Sequence, residues 1–217
     1  MDRKLFVTED GSHSLKVEGL DETYHSKHGA IQESEHVFIQ KGLDNFAGKH
    51  IRILELGFGT GLNAFLTYIA TRNRNLNVLY TTIEKYPLAA EEYEQLNYPA
   101  LLKQSGDAFL QMHTSGQDKT IEISGAFHFR KIIADCHDLS FKNNFDLVYY
   151  DAFGPEVQPD LWEFSTLKLF YNALVQNGQL VTYSAKGQVR RNLKECGFTV
   201  ERIEGPPGKR EMLRACK

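Results

Sequence analysis

An α/β fold built on a mostly parallel sheet is predicted by three observations. From residue 51 onward, short apolar runs alternate with helix-length stretches. The first run breaks at a glycine cluster that opens a helix, and the next three end on Glu84, Asp135 and Asp151. Strands alternating with helices pack as a parallel sheet covered on both faces.

The elements follow in order. Leu5–Thr8 and Ser14–Val17 alternate around EDGS, the pattern of a small hairpin. Glu22–His28 follows, then a segment through Val37, Phe38 and Ile39 of helical character. Ile51–Leu56 is the first strand of the main sheet and Leu62–Ala70 its helix. Val78–Ile83 is the second strand; Leu88–Leu96 and Leu101–Met112 read as helices. Lys131–Ala134 and Phe145–Tyr150 are strands three and four. Trp162–Val175 reads as a helix, Gln179–Ser184 as strand five, and Val189–Cys196 as a helix closed by Gly197. Phe198–Ile203 and Glu211–Cys216 flank EGPPGKR as an antiparallel terminal pair. The expected division is an N-terminal β-rich extension over 1–50 and a main domain over 51–217.

Composition narrows the classes. With 217 residues, 41% apolar and 24% charged, the chain can bury a core and is not disordered. No apolar run approaches the ~20 residues of a membrane span, and the N-terminal stretch MDRKLFVTEDGSHS has no signal-peptide core. Cys136, Cys196 and Cys216 are odd in number and widely spaced, which fits a reducing cytoplasm rather than a disulfide framework. Histidines are scattered without HxxxH spacing, so no metal site is expected. The net charge of −3 hides an asymmetry. Residues 1–185 carry 16 Lys/Arg against 24 Asp/Glu, and residues 186–217 carry 9 against 4.

The stretch Glu55-Leu-Gly57-Phe-Gly59-Thr-Gly61-Leu-Asn63 is GxGxG behind an acidic residue. A dinucleotide loop requires GxGxxG, and here the sixth position is Leu62. A phosphate-cradling loop requires GK[ST], and no Lys follows Gly61. GxGxG with an acid two residues ahead instead matches S-adenosylmethionine sites, because that cofactor has no phosphates and ends in an ammonium that Glu55 suits. The loop from Glu55 to Asn63 is therefore the candidate cofactor site. In a doubly wound sheet the ligand lies outside the carboxyl ends of the strands. Glu84 is placed there to accept from two ribose hydroxyls, Asp135 to meet the adenine amino group, and Asp151 ends the fourth strand. Asp107 competes for the adenine role but falls inside a helical stretch.

These residues resemble one family over nearly the whole chain, the tRNA 5-methylaminomethyl-2-thiouridine methyltransferases. They occur as the methyltransferase half of bifunctional MnmC and as stand-alone MnmD-type enzymes. The matching segments are ETYHSKHGAIQESEHVFI, LELGFGTGLNAFLT, YYDAFGPEVQPDLW and GFTVERIEGPPGKREMLRA. The family commonly has Ala-Pro after DAF, where this chain has Gly154-Pro155. The resemblance implies a Rossmann-like class I methyltransferase sheet with an antiparallel C-terminal strand pair. It implies methyl transfer from S-adenosylmethionine to the exocyclic amine of 5-aminomethyl-(2-thio)uridine at the tRNA wobble position. It implies that Gly57, Gly59 and Gly61 hold the cofactor, Glu84 the ribose and Asp135 the adenine side. Tyr24 and Ser26 would close over the cofactor, and Asp151 would face the transferred methyl as general base or orienter. The oxidoreductase half of MnmC does not fit in 217 residues, so a separate oxidoreductase acting upstream is expected.

Phe153, with Tyr149 or Tyr150, could line the pocket, although strand-core packing is the simpler expectation for the tyrosines. Lys186, Arg190, Arg191 and Lys194 fall at helical spacing, and Lys209, Arg210 and Arg214 lie in or after the Pro-Pro-Gly turn. The bland reading is a solvated helix face. The functional one is a phosphate-contacting edge beside the pocket, with Lys186, Arg190, Arg191, Lys209 and Arg210 as tRNA contacts. A spermidine synthase-like aminopropyltransferase is the alternative on this scaffold. It would line the pocket with several carboxylates and would not need a basic edge.

Overall fold

The computed structural model describes residues 2–46 and 50–217. The expected hairpin is present as β1 (Arg3–Val7) and β2 (His13–Val17), paired antiparallel with Leu5 opposite Leu15. A two-residue strand, β3 (Glu22–Thr23), completes this small sheet. The chain then runs through α1 (Ala30–Ser34) and a wide helical turn over Glu35–Gln40 that buries Val37, Phe38 and Ile39. Phe38 packs on Tyr149 of the main sheet with ring centroids 5.0 Å apart. The small sheet is also tied to the helical turn Ala90–Tyr93 of the main domain by an ion pair between Arg3 and Glu92, 2.9 Å. Buried His25 links the two as well, with one ring nitrogen 3.0 Å from Ser14 Oγ and the other 3.4 Å from Thr60 Oγ1.

The main sheet has eight strands. In chain order they are β4 (His50–Leu56), β5 (Asn77–Glu84), β6 (Thr120–Ser124), β7 (Phe127–Ile133), β8 (Phe145–Tyr150), β9 (Leu174–Thr182), β10 (Thr199–Glu204) and β11 (Glu211–Cys216). Their spatial order is β10-β11-β9-β8-β4-β5-β7-β6. The five central strands are parallel, whereas β6, β10 and β11 pair antiparallel. The first strand, β4, lies between β5 and β8, so the winding reverses there and opens a crevice at the carboxyl ends.

Alternation along the strands builds two cores. Ile51, Ile53, Tyr80, Phe127, Phe129, Leu147 and Tyr149 face α2 (Leu62–Arg74) and α5 (Asp107–Thr114). Leu54, Leu56, Ile83, Val148, Tyr150 and Leu180 face α6 (Phe164–Ala173) and α7 (Gly187–Glu195). Tyr149 and Tyr150 are both wholly buried, one in each core, and neither lines the cavity described below.

Four expected elements change. The helix expected over 88–96 is a single turn, α3 (Ala90–Tyr93). The helix expected over 101–112 splits into α4 (Tyr98–Leu101) and α5, because Lys103 takes φ 53° and Ser105 Oγ accepts the Asp107 amide. The strand expected at 131–134 begins at Phe127 and forms a hairpin with β6, which sequence reading missed. The helix expected to reach Val175 stops at Ala173, and β9 begins at Leu174, five residues before the expected start. Cys136, Cys196 and Cys216 are free. Among the described residues, no helix is long and apolar enough to cross a membrane.

Candidate active site

A cavity of about 470 Å³ opens at the carboxyl ends of the central strands, at the winding reversal. Its floor is the loop from β4 to α2. Gly57 has φ 89°, and a Cβ there would stand 2.7 Å from the Asp151 carbonyl oxygen. Gly59 has φ 51°, and a Cβ there would meet the Tyr24 ring at 3.0 Å. Any side chain at these positions would strain the backbone and crowd the loop's neighbours.

Three acids stand at this edge, as the strand-end argument expects. The Glu84 carboxylate accepts the Gly59 amide at 2.8 Å and the Tyr86 amide at 2.7 Å, so it is fixed against the glycine loop. Asp135 accepts from Lys85 Nζ at 2.7 Å, from the His137 amide at 3.0 Å and from the His137 ring at 2.6 Å. Lys85, followed by the His137 amide, holds its carboxyl well below the usual range. Asp135, Cys136 and His137 bring donor atoms within 4.8 Å of one another, but burial pushes the Cys136 thiol up to about 12. Half-buried Asp151 accepts from Asn63 Nδ2 at 2.7 Å. Burial pushes its carboxyl up to about 7, against the opposing Asn63 hydrogen bond. Asp107 is exposed, bonds to Ser105 and does not line the cavity.

The wall over the loop comes from the N-terminal segment. Tyr24 and Ser26 both line the cavity, and Tyr24 meets Phe153 edge-on at 5.1 Å. Burial raises the Tyr24 hydroxyl to about 12, so it remains a neutral donor.

Several expected placements are corrected. Glu55 does not line the cavity. It has the same parity as Ile51 and Ile53 and points beneath the loop, wholly buried between the sheet and α2. Its polar neighbours there are Thr82, Asn63 and Tyr80. Gly61 also lies outside the cavity, against His113 and Phe58. Lys209 does not point outward toward a phosphate. Its ammonium enters the cavity, 2.5 Å from Glu33 Oε1 and 4.0 Å from the Tyr183 ring centroid. Lys186 pairs with Glu156, and Arg191 bonds Gln188 within α7. Arg190 is half-buried and Arg210 exposed. These four stay outside the cavity but share its edge, because α7 follows the end of β9 and the 205–210 turn precedes β11, which runs antiparallel to β9.

Glu33 and Tyr183 were not anticipated. Tyr183 directly follows β9 and could have been found by the strand-end rule that located Glu84 and Asp151. Glu33 carries no such signal, since it reaches the site from α1, outside the main sheet.

A family described as S-adenosyl-L-methionine-dependent methyltransferase matches residues 89–217, more than half the chain. The chain belongs to that family. This methyltransferase is similar to the "tRNA 5-methylaminomethyl-2-thiouridine biosynthesis bifunctional protein MnmC" of Leptospira borgpetersenii serovar Hardjo-bovis (strain JB197). They share 31% identity over 210 residues, 89% of this chain and 32% of the relative. The MnmC of Aromatoleum aromaticum is 29% identical over 225 residues, 97% of this chain and 35% of that one. The methyltransferase thus spans about a third of the length of these curated relatives. Among solved structures, MNMC2 from Aquifex aeolicus superposes with a TM-score of 0.74 at 27% identity, covering 99% of this chain and 70% of that one. Spermidine synthase from Thermotoga maritima superposes at 0.60 with 16% identity, covering 99% and 68%, which is likeness of fold.

The residues present fit S-adenosylmethionine. Glu84 keeps acceptor capacity beyond its two amide bonds, as vicinal ribose hydroxyls require. The side-chain oxygen of Asn63, a residue that lines the cavity beside the glycine loop, is a buried acceptor without a partner among the described residues. An entering ammonium offers this acceptor the donor it lacks.

Proposed function

We propose that this methyltransferase N-methylates the 5-aminomethyl group of (2-thio)uridine at the tRNA wobble position, giving the 5-methylaminomethyl base. One observation carries the chemistry. Asp151, a carboxylate poised near neutrality, shares a cavity with the glycine loop and Glu84. The names of the relatives supply the substrate class.

The bound cofactor supplies an electrophilic methyl group. A primary alkylamine is mostly protonated at neutral pH, so the protein must take a proton from the amine before attack. Asp151 is suited to that task, since a base works best when its pKa lies near the working pH. Asn63 fixes the carboxylate's direction, and Tyr24 and Phe153 meet edge-on in the cavity wall. An earlier reaction must supply the primary amine.

Nucleoside analysis of tRNA from cells lacking the protein tests the assignment. The aminomethyl base should accumulate there, and purified protein with S-adenosylmethionine should convert it. A wild-type modification profile in those cells overturns the reading.

The basic edge makes a second test. Arg190, Arg191 and Arg210 changed together to Glu should weaken tRNA binding. The slope of log affinity against log salt should fall by about 0.7–0.9 for each phosphate that is no longer neutralised. An unchanged slope removes this edge as the docking surface.

Aminopropyl transfer keeps one supporting observation, because Glu22, Glu33 and Asp160 also line the cavity and would suit a polyamine. They suit an aminomethyl cation equally. Incubation with decarboxylated cofactor and putrescine separates the two, and spermidine formation would favour the alternative.

A further inference from the structure

We infer that Glu33 is the carboxylate that receives the substrate's primary ammonium, and that the Lys209 side chain holds the same seat until the substrate displaces it. This rests on the amine-substrate reading above and names the subsite that would select the amine.

Glu33 is nearly buried, at 7% exposure. Its Oε2 accepts the Ser26 amide at 2.8 Å, which turns Oε1 into the cavity. There Oε1 takes the Lys209 ammonium, from a residue 176 positions away in the chain. The same ammonium lies over the Tyr183 ring, and the Tyr183 hydroxyl donates to the Ala152 carbonyl at 2.8 Å. That bond pins the ring beside the backbone of the Asp151 loop. Both Glu33 and Lys209 are close enough to Asp151 to influence its charge. The seat is therefore a buried carboxylate and an aromatic face, next to the proposed base, holding a primary alkylammonium. The substrate's aminomethyl group belongs to the same chemical class.

A buried carboxylate needs a counter-charge. Lys209 supplies one in the free protein, and an entering aminomethyl cation would replace it without leaving Glu33 unpaired. Exchange is physically easy on the lysine side. Its stem is long and flexible, and it springs from the turn at 205–210, where Pro207 and Gly208 are exposed. Once displaced, Lys209 lies on the basic edge, in reach of phosphates flanking the target base.

A permanent strut between α1 and the C-terminal hairpin is the competing account, and the two predict opposite signs. Binding of the free nucleoside 5-aminomethyluridine is measured by calorimetry at pH 8 with S-adenosylhomocysteine present. Lys209→Met should bind it about tenfold or more tighter than wild type, since a charged hydrogen-bonded partner no longer competes. The double variant Lys209→Met with Glu33→Gln should lose that gain. Equal or weaker binding by Lys209→Met, or a gain that survives the second change, overturns the seat. Should Lys209→Met fail to bind S-adenosylhomocysteine, Glu33→Gln alone decides. Its KM for aminomethyl tRNA should rise about tenfold or more with the KM for S-adenosylmethionine unchanged, and an unchanged tRNA KM refutes the proposal. A wild-type protein that does not methylate aminomethyl tRNA, while Lys209→Met still gains nucleoside affinity, overturns the substrate reading and supports the seat.

Discussion

Replacing Asp151 with Asn should leave S-adenosylmethionine binding intact and lower kcat by about 10²–10⁴-fold, the usual worth of a positioned proton acceptor. The substitution is nearly isosteric, and the new side-chain oxygen can still accept from Asn63 Nδ2, so the loop geometry has no reason to move. What is lost is the capacity to take the proton. The pH profile makes the assignment specific. Burial holds the wild-type carboxyl at about 7, so it is protonated and useless as a base below that value and ionised above it. Activity under kcat/KM conditions should rise with pH through about 7 in wild type, and that inflection should vanish in Asp151→Asn. Residual turnover reflects the alignment of nitrogen and methyl carbon, which the cavity still provides. An Asn variant with near-normal kcat, or with the inflection still in place, would remove Asp151 from proton transfer.

Glu84 and Asp151 were legible in the sequence because one rule applies to both. A parallel sheet presents the last residue of each central strand to the ligand edge, and these acids close β5 and follow β8. Glu55 shows what the rule omits. It lies one residue before the end of β4, and alternation sends that position to the α2 face under the loop. Motif spacing selects the residue, but strand parity decides whether it touches ligand. The β6–β7 hairpin was missed although Thr120–Ser124 alternates, because the charged and polar residues on β6 leave little apolar signal. Lys209 failed for a different reason. A basic run in sequence looks like a solvated face, and only the fold brings Glu33 close enough to turn one of its members inward.

Glu55→Gln should raise stability at alkaline pH. Glu55 is wholly buried, and burial lifts its carboxyl to about 8 against the opposing pull of Thr82, Asn63 and Tyr80. An unfolded glutamate titrates near ~4.3. Between those values the folded protein keeps a proton that the unfolded chain has released, so stability falls as pH rises from about 4 to about 8. The loss accumulates to the order of a few kcal/mol, about 5–15 °C in Tm for a chain of this size. Gln has the shape of the neutral acid and cannot ionise, and its amide can donate to the unpartnered Asn63 oxygen. The two melting curves should therefore coincide near pH 4 and separate in favour of Gln by pH 8–9. Buried His25 and His113, held down at about 4 and about 3, act in the opposite direction. Their unfolded forms take up protons first as pH falls, so they reduce stability below about 6.5. That contribution is common to both proteins and cancels in the difference. Asp151 shares the sign of Glu55 and is retained in both. A Gln variant less stable than wild type at pH 8 would mean that Glu55 is ionised and paired in the free protein. The expected result, a gap between the two curves that widens from pH 4 to pH 8, would identify Glu55 as an acid that the fold beneath the glycine loop holds protonated.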